Sequence, residues 1–438
     1  MLLSKLTWQA YSLFLSRPVA ELERFATMDP ARQRETMASR LLAQMRYFGS
    51  REDALPEWRE AAKVKTSDDL WEIWPSLPII AKAALNAHFE PVEMQRRFGL
   101  RGRISASGGS TGEPTRFFLD SPMLRASRGA HLYSQIKMGW RPGMPTIIVW
   151  GSDRDIGRQN SGWLRRTTQH LYRHHTIPGF AMSDRSVEEI HGFIKTEAPV
   201  AIYGYSSLLE FAAERTLSLG RQVSPGSVAV AWNGGEMLYD SQVELFRRAF
   251  GVPVLNRYGG RELSVTAFQE SEGAPLRVLR PWLFLEILNE AGKPAAVGEI
   301  GRLVLTSTIC RGTPFIRYDI GDLGAYGAGD CDESGIRNIR TLHGRHSGSL
   351  RLQDGRVISC LYWNHLIKDY PEVAQFQVRV SADSRISLLL TGRGFSGVRA
   401  ERFRATLQLV LQGQHTELRW VETIPRTAQG KLLQVVHD

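Results

Sequence analysis

At 438 residues, with 42% hydrophobic and 23% charged residues, the chain has the composition of a folded protein of two or three domains, which excludes collagen, coiled coil and intrinsic disorder. Its 55 Lys+Arg against 45 Asp+Glu leave a formal charge of +10, a balance that suits nucleic acid, a membrane surface or a phosphate-bearing ligand and selects only the sign of the partner. Cys310, Cys331 and Cys360 are too few and too scattered for a disulfide framework or a zinc ribbon, so a reducing compartment is expected.

Taken in chain order, Met1–Ser16 is apolar but broken by Ser4, Lys5, Thr7, Gln9 and Ser12. It reads as a packed N-terminal helix, with a membrane-surface or partner helix as the alternative, and not as an export signal or a transmembrane span. A cytoplasmic protein without a transmembrane segment is expected. Residues 1–100 read as mostly helical, through Pro30–Phe48 and Ser67–Arg97, with Pro56 and Pro78 as breaks. From 101 the texture changes to short apolar runs alternating with helical stretches. The runs are Thr146–Trp150, Val200–Tyr203, Val228–Trp232 and Val252–Leu255, and the helices are Ser186–Glu197, Ser206–Leu217 and Tyr239–Phe250. That alternation predicts an α/β layered domain with a largely parallel sheet. Beyond 280 the chain becomes strand-rich, at Leu283–Leu288 and Gly301–Thr306. The last part mixes strands (Gln375–Val380, Ile386–Leu390) with a helix (Gly397–Gln412) and reads as a small α+β domain. The expected boundary divides 1–344 from 345–438.

One loop carries the strongest local signal: Ser105-Ala-Ser-Gly-Gly-Ser-Thr-Gly-Glu-Pro114. Gly108, Gly109 and Gly112 let the backbone turn its N–H groups inward, and Ser105, Ser107, Ser110 and Thr111 add hydroxyl donors. Such a loop can wrap an anion without a charged side chain. It is not a Walker A loop, because no Gly-Lys-Ser/Thr follows at the required spacing. Four further segments follow in order: Asn233-Gly-Gly-Glu236; Tyr258-Gly-Gly-Arg-Glu262; Tyr318-Asp-Ile-Gly-Asp322 with Gly344-Arg345; and Pro425-Arg-Thr-Ala-Gln-Gly-Lys431.

This ordered set resembles the ANL adenylate-forming superfamily, which comprises acyl-CoA synthetases, peptide-synthetase adenylation domains and luciferases. Thr115 after Gly-Glu-Pro and the short N-terminal region look most like its phenylacetate–CoA ligase branch, with its capsule-biosynthesis and aryl-acid-activating relatives. The likeness covers residues 100–438. It implies a large N-terminal domain that binds ATP and acid, and a small mobile C-terminal lid. The implied activity joins a carboxylic acid, most simply an aryl acid, to AMP with release of pyrophosphate, and then passes the acyl group to a thiol. CoA or the phosphopantetheine of an acidic acyl carrier protein would be the acceptor; an amide ligase with an amine acceptor is the alternative.

The resemblance also implies roles. Residues 105–112 would cradle the β- and γ-phosphates, Glu262 would bind Mg²⁺, and Asp322 would accept from both ribose hydroxyls. Gly234, Gly235 and Glu236 would flank the adenine, with Tyr258 offering an aromatic face. Lys431 would bridge carboxylate and α-phosphate, two anions that must approach one another. Arg345 would sit at the hinge, touching ribose or phosphate. Two positions depart from the family pattern: Arg261 stands where Thr or Ser is usual, and Ser347 and Gly348 replace the hinge acids.

Two other clusters carry less. His170, His174 and His175 have i, i+4, i+5 spacing on a prospective helix, but no acidic or Cys ligand completes a zinc set nearby in sequence. They are expected to line the acyl pocket or cap a helix. Arg393, Arg399, Arg402 and Arg404 form a solvated helix face or a docking surface for CoA phosphates or a carrier protein. No RRM-, KH- or helix-turn-helix-like module accompanies the basic charge, so nucleic acid is not an expected partner. The sequence leaves homo-oligomerisation open.

Overall fold

The computed structural model describes residues 17–106, 115–150, 173–178, 182–329, 338–345, 350–352, 357–358, 363, 366–367, 370, 372–381, 383–411, 414–424 and 435–437. Met1–Ser16, residues 107–114, His170, Ser347, Gly348 and Lys431 lie outside them.

Proline and polar caps set the N-terminal helices. They run through 17–26, Pro30–Gly49, Pro56–Ala61, Ser67–Ile73, Lys82–His88 and Pro91–Phe98. Pro30, Pro56 and Pro91 each occupy the first turn, where a missing N–H costs nothing, and Asp29 caps the long helix by accepting from the Arg32 amide at 2.9 Å. Met37, Leu41, Met45 and Phe48 recur at helical spacing and are all buried. The helical stretch Ser67–Arg97 is interrupted, as the break expected at Pro78 implies. Pro75 and Pro78 stop it, and Ile80 forms a bridge with Tyr318: its amide donates to Arg317 O at 2.9 Å and its carbonyl accepts from Asp319 N at 3.0 Å.

The expected parallel sheet is present. Its five strands lie in the order His174–Pro178, Thr146–Trp150, Val200–Gly204, Val228–Asn233, Val254–Leu255, and every neighbouring pair is parallel. The inner strands are apolar on both faces because both are covered. On one side Ile147, Val149 and Ile202 pack with Ile190, Leu209 and Phe246 from the helices Asp184–Glu197, Ser206–Ser218 and Asp240–Phe250. On the other, Ala201, Val230 and Trp232 pack with Ala130 and Tyr133 of the helix Ser121–Lys137. His174 and His175 belong to an edge strand, which corrects the helical reading of their spacing. Their side chains step to opposite faces, so three-and-four spacing has no meaning there.

A three-stranded antiparallel sheet follows (Arg257–Gly260, Ser264–Phe268, Arg277–Val278), and then a four-stranded one (Leu283–Leu288, Gly301–Ser307, Tyr318–Ala325, Thr341–Arg345). Near the C-terminus a mixed four-stranded sheet orders Thr416–Trp420, Ile386–Gly392, Val373–Val380 and Val435–His437. With the helix Gly397–Val410 it builds a separate apolar core in which Phe376, Val378, Leu388, Leu390, Phe403 and Leu407 are buried. The fold is mixed α/β throughout. No helix among the described residues is long and apolar enough to cross a membrane.

Candidate functional site

Three parallel strands end side by side at Trp150, Gly204 and Asn233, the carboxyl edge at which open α/β sheets bind ligands. Asn233 is fully buried and organises this edge. Its Nδ2 donates to Ser206 Oγ and to Glu236 O, both at 3.0 Å, and its Oδ1 accepts from the Arg257 amide at 2.9 Å. One side chain therefore shapes the Gly234–Glu236 turn and ties it to the segment that carries Tyr258. Both glycines are sterically required. A Cβ on Gly234 would lie 2.8 Å from the Tyr203 hydroxyl, and one on Gly235, at φ +78°, would lie 2.8 Å from the Tyr205 ring. Trp150 stands 4.0 Å from Tyr205 and 5.1 Å from Tyr203, centroid to centroid, so aromatic rings line the turn.

The next strand brings Tyr258 to Asp322, 64 residues away in sequence, where the phenol donates to Oδ2 at 2.6 Å. Gly321 at φ +80° shapes the backbone before this aspartate, and the Gly321 amide donates to Asp319 Oδ1 at 2.8 Å. Arg345 lies opposite Asp322 in the antiparallel register of the neighbouring strand. Glu262 is 4% exposed, and its Oε1 is buried without a hydrogen-bond partner. Gly260 gives it room, since a Cβ there would approach Glu262 Oε2 to 3.0 Å. Arg261 is exposed. Ser105 sits in the hairpin Gly102–Ala106/Arg116–Asp120, opposite Phe117, with Ala106 opposite Arg116. This hairpin brackets the Gly/Ser loop, whose Ser107, Gly108, Gly109, Ser110, Thr111 and Gly112 lie outside the described residues, as does Lys431.

Buried carboxylate oxygens are ordinarily paired, so an orphan one points to a cation. Glu262 is a hard oxygen donor of the kind Mg²⁺ takes with phosphate oxygens and water, and such a site needs few protein carboxylates. No group of three or more His, Cys, Asp or Glu placed to hold a metal occurs among the described residues. His175 instead meets Glu189, Nε2 to Oε1 at 2.9 Å, and stacks on Phe193 at 4.6 Å. In the C-terminal helix Arg399 pairs with Glu372 at 3.1 Å, whereas Arg393, Arg402 and Arg404 are exposed. A cavity of about 330 Å³ lined by Phe25, Tyr133, Phe268, Glu270 and Arg277 receives none of the sequence motifs.

Two residues join the site without any motif to mark them. Asn86 Oδ1 accepts from the Arg116 amide at 3.2 Å, at the base of the hairpin. Lys82, one turn earlier on the same helix, brings its Nζ within 3.6 Å of where a Gly321 Cβ would stand. The only signal they leave in the sequence is their i, i+4 spacing.

No protein-family model matches the chain, and no curated protein matches it by sequence. Solved structures do. A 2-hydroxyisobutyryl-CoA ligase in its postadenylation state, bound to an acyl-AMP, is 18% identical with a TM-score of 0.63, over 94% of this chain and 91% of that one. Fatty acyl-adenylate ligases from E. coli and L. pneumophila are represented at 19% identity and TM-score 0.52, over 75% of this chain and 67% of the other. O-succinylbenzoate coenzyme A synthetase from Bacillus subtilis, in complex with AMP, gives 16% and 0.52, over 76% and 67%. The chain has the fold of the adenylate-forming ligases.

Proposed function

We propose that the protein activates a carboxylic acid with ATP as an acyl-adenylate, releases pyrophosphate, and transfers the acyl group to a thiol. The observation that carries this reading is the meeting of Tyr258 with Asp322 beside the orphan carboxylate of Glu262, at the end of the parallel sheet where the Gly234–Glu236 turn lies. In the first half-reaction a carboxylate oxygen bonds to the α-phosphorus and the bond to the β-phosphate oxygen breaks. In the second a thiol sulfur bonds to the acyl carbon and AMP departs. Asp322 accepts from the ribose hydroxyls, with Tyr258 fixing the carboxylate's orientation. Gly234 and Gly235 let the adenine lie against backbone. Ser105 and the Gly/Ser loop hold the phosphates that leave, and Arg345 acts at the passage between the domain of residues 1–344 and the lid of 345–438. Lys431 supplies the positive charge that offsets the approach of two anions. Glu262 would hold Mg²⁺, which neutralises phosphate charge. The aromatic rings of Trp150, Tyr203 and Tyr205 favour an aryl acid. CoA is the acceptor we favour, with carrier-protein phosphopantetheine as the other thiol.

The test is pyrophosphate release from ATP–Mg²⁺ across a panel of aryl and aliphatic acids, with and without CoA. Acid-dependent release, with thioester formed only when CoA is added, is the expected result. ATP turnover that ignores the acid overturns the reading.

A further inference from the structure

Arg257 begins the strand that carries Tyr258, and it is 5% exposed. Its guanidinium stands 4.4 Å over the Tyr203 ring and 5.9 Å from that of Trp232. Its Nη1 is buried without a hydrogen-bond acceptor, and no acidic residue pairs with it among the described residues. A buried cation without a counter-charge is among the most unfavourable arrangements a fold can keep, unless a ligand brings that charge. The arginine fork matches a carboxylate in particular.

The surroundings place that ligand. Tyr203, under the guanidinium, has its hydroxyl against Gly234, so the arginine adjoins the turn assigned to the adenylate. Successive residues of a strand point to opposite faces, so Arg257 turns away from Tyr258 and Asp322 and toward the gap between the sheet and the Ser121–Lys137 helix. His131 of that helix is exposed and lies within reach of the Arg257 charge. Desolvation, and then the Arg257 charge, hold its imidazole below the ordinary value, so it is a neutral hydrogen-bonding group. One turn earlier Ser127 donates to Ser264 Oγ at 2.7 Å and joins the helix to the strand after Arg257. A cation, a neutral imidazole and flat aromatic rings thus stand together on this side of the sheet.

We propose that Arg257 is a specificity-determining residue that binds a second carboxylate of the substrate, so that the acid activated is a dicarboxylate with a flat, aromatic body. The reacting carboxyl lies on the Gly234–Asp322 side and the second one on the Arg257 side. This rests on the adenylation reading for which carboxyl reacts, but not for the binding itself.

Calorimetric titration of the full chain separates the two. Isophthalate, terephthalate and homophthalate would be titrated beside benzoate and phenylacetate, into the wild type, Arg257→Gln and Arg257→Lys. At least one dicarboxylate is expected to bind the wild type tenfold or more tighter than its monocarboxylate partner. That ratio should fall to near one in Arg257→Gln and to an intermediate value in Arg257→Lys, which keeps the charge but not the fork. A circular-dichroism spectrum and a melting temperature equal to those of the wild type certify that each variant is folded. Equal affinities for every pair in the wild type, or a preference that survives in Arg257→Gln, overturn the proposal. Dicarboxylate binding that depends on Arg257, without acid-dependent pyrophosphate release, upholds it and removes the adenylation reading instead.

Discussion

The antiparallel sheet of residues 283–345 and the parallel sheet edge each bury an arginine, and the two are treated in opposite ways. Arg317 is 1% exposed, and all three of its side-chain nitrogens donate hydrogen bonds. Its Nε and Nη2 donate to the two oxygens of Glu286 at 3.1 and 3.0 Å, and its Nη1 donates to Pro75 O at 2.8 Å and Leu77 O at 2.5 Å. It sits at φ +42°, an unfavourable value for a residue that carries a Cβ, and this many bonds can hold it in place. Arg257, as buried, has aromatic faces and no carboxylate. A satisfied buried charge ties the N-terminal helices to the sheet; an unsatisfied one is a socket. Burial alone does not distinguish structure from recognition, whereas the hydrogen-bond inventory does.

The largest expected effect tests the structural member. Arg317→Met strands Glu286 in the interior and frees two carbonyls, which should cost about 3–5 kcal/mol of stability. Urea unfolding followed by tryptophan fluorescence measures it. Arg257→Met is expected to leave stability unchanged or raised, since it removes a buried charge that has no carboxylate partner among the described residues. Equal losses in both variants would dissolve the contrast.

The second prediction asks whether the recognition side is catalytic as well. On the proposed reading, Lys431→Ala lowers the rate of adenylate formation by about 10²–10³ or more, the range for loss of one preorganised donor. Thioester formation from a supplied synthetic acyl-adenylate should suffer far less. Equal losses in both half-reactions would make Lys431 structural.

Asp322→Ala comes next. Losing a charge-assisted contact should weaken ATP binding by about 1.5–3 kcal/mol, and Tyr258→Phe, which removes only the orienting hydroxyl, by about 0.5–1.5 kcal/mol. Calorimetry with ATP ranks the two, and an unchanged affinity in Asp322→Ala would remove the ribose assignment.

An effect that is small near neutral pH belongs to the far edge of the parallel sheet. Desolvation of His174 lowers its pKa to about 4. The unfolded chain therefore binds a proton that the folded chain refuses between that value and the ordinary one near 6.5. Stability should fall as pH drops through that window, by about 3 kcal/mol across the whole of it from this residue, and His174→Asn should flatten the slope. A slope unaltered by the substitution would mean that another group causes it.

Much of the scaffold was legible because its signals are local. Continuous apolar runs marked Thr146–Trp150, Val228–Asn233 and Leu283–Leu288, and the helices Ser206–Ser218 and Asp240–Phe250 begin within a residue of where periodicity placed them. His174 and His175 misled because their strand, His174–Pro178, contains only one buried apolar residue, Ile177, too little to outweigh a suggestive histidine spacing. The candidate site was legible only as separate motifs. Nothing in Tyr258 or Asp322 announces a 2.6 Å bond across 64 residues, and Arg257 stands one residue before a recognised segment, outside its pattern. Lys82 and Asn86 were invisible for the same reason: a helix surface residue acquires its meaning from what the fold later lays beside it.

The short helix Lys82–His88 works as a gauge block. Four residues apart, Lys82 reaches the glycine before Asp322 and Asn86 holds the base of the Gly/Ser hairpin, so one rigid turn, about 6 Å long, sets the spacing between them. Such a part tolerates side-chain changes on its outer face but not a change in count. One residue inserted between Lys82 and Asn86 would swing the second contact about 100° around the helix axis. Loops elsewhere in the chain can lengthen without retuning the site, but this turn cannot.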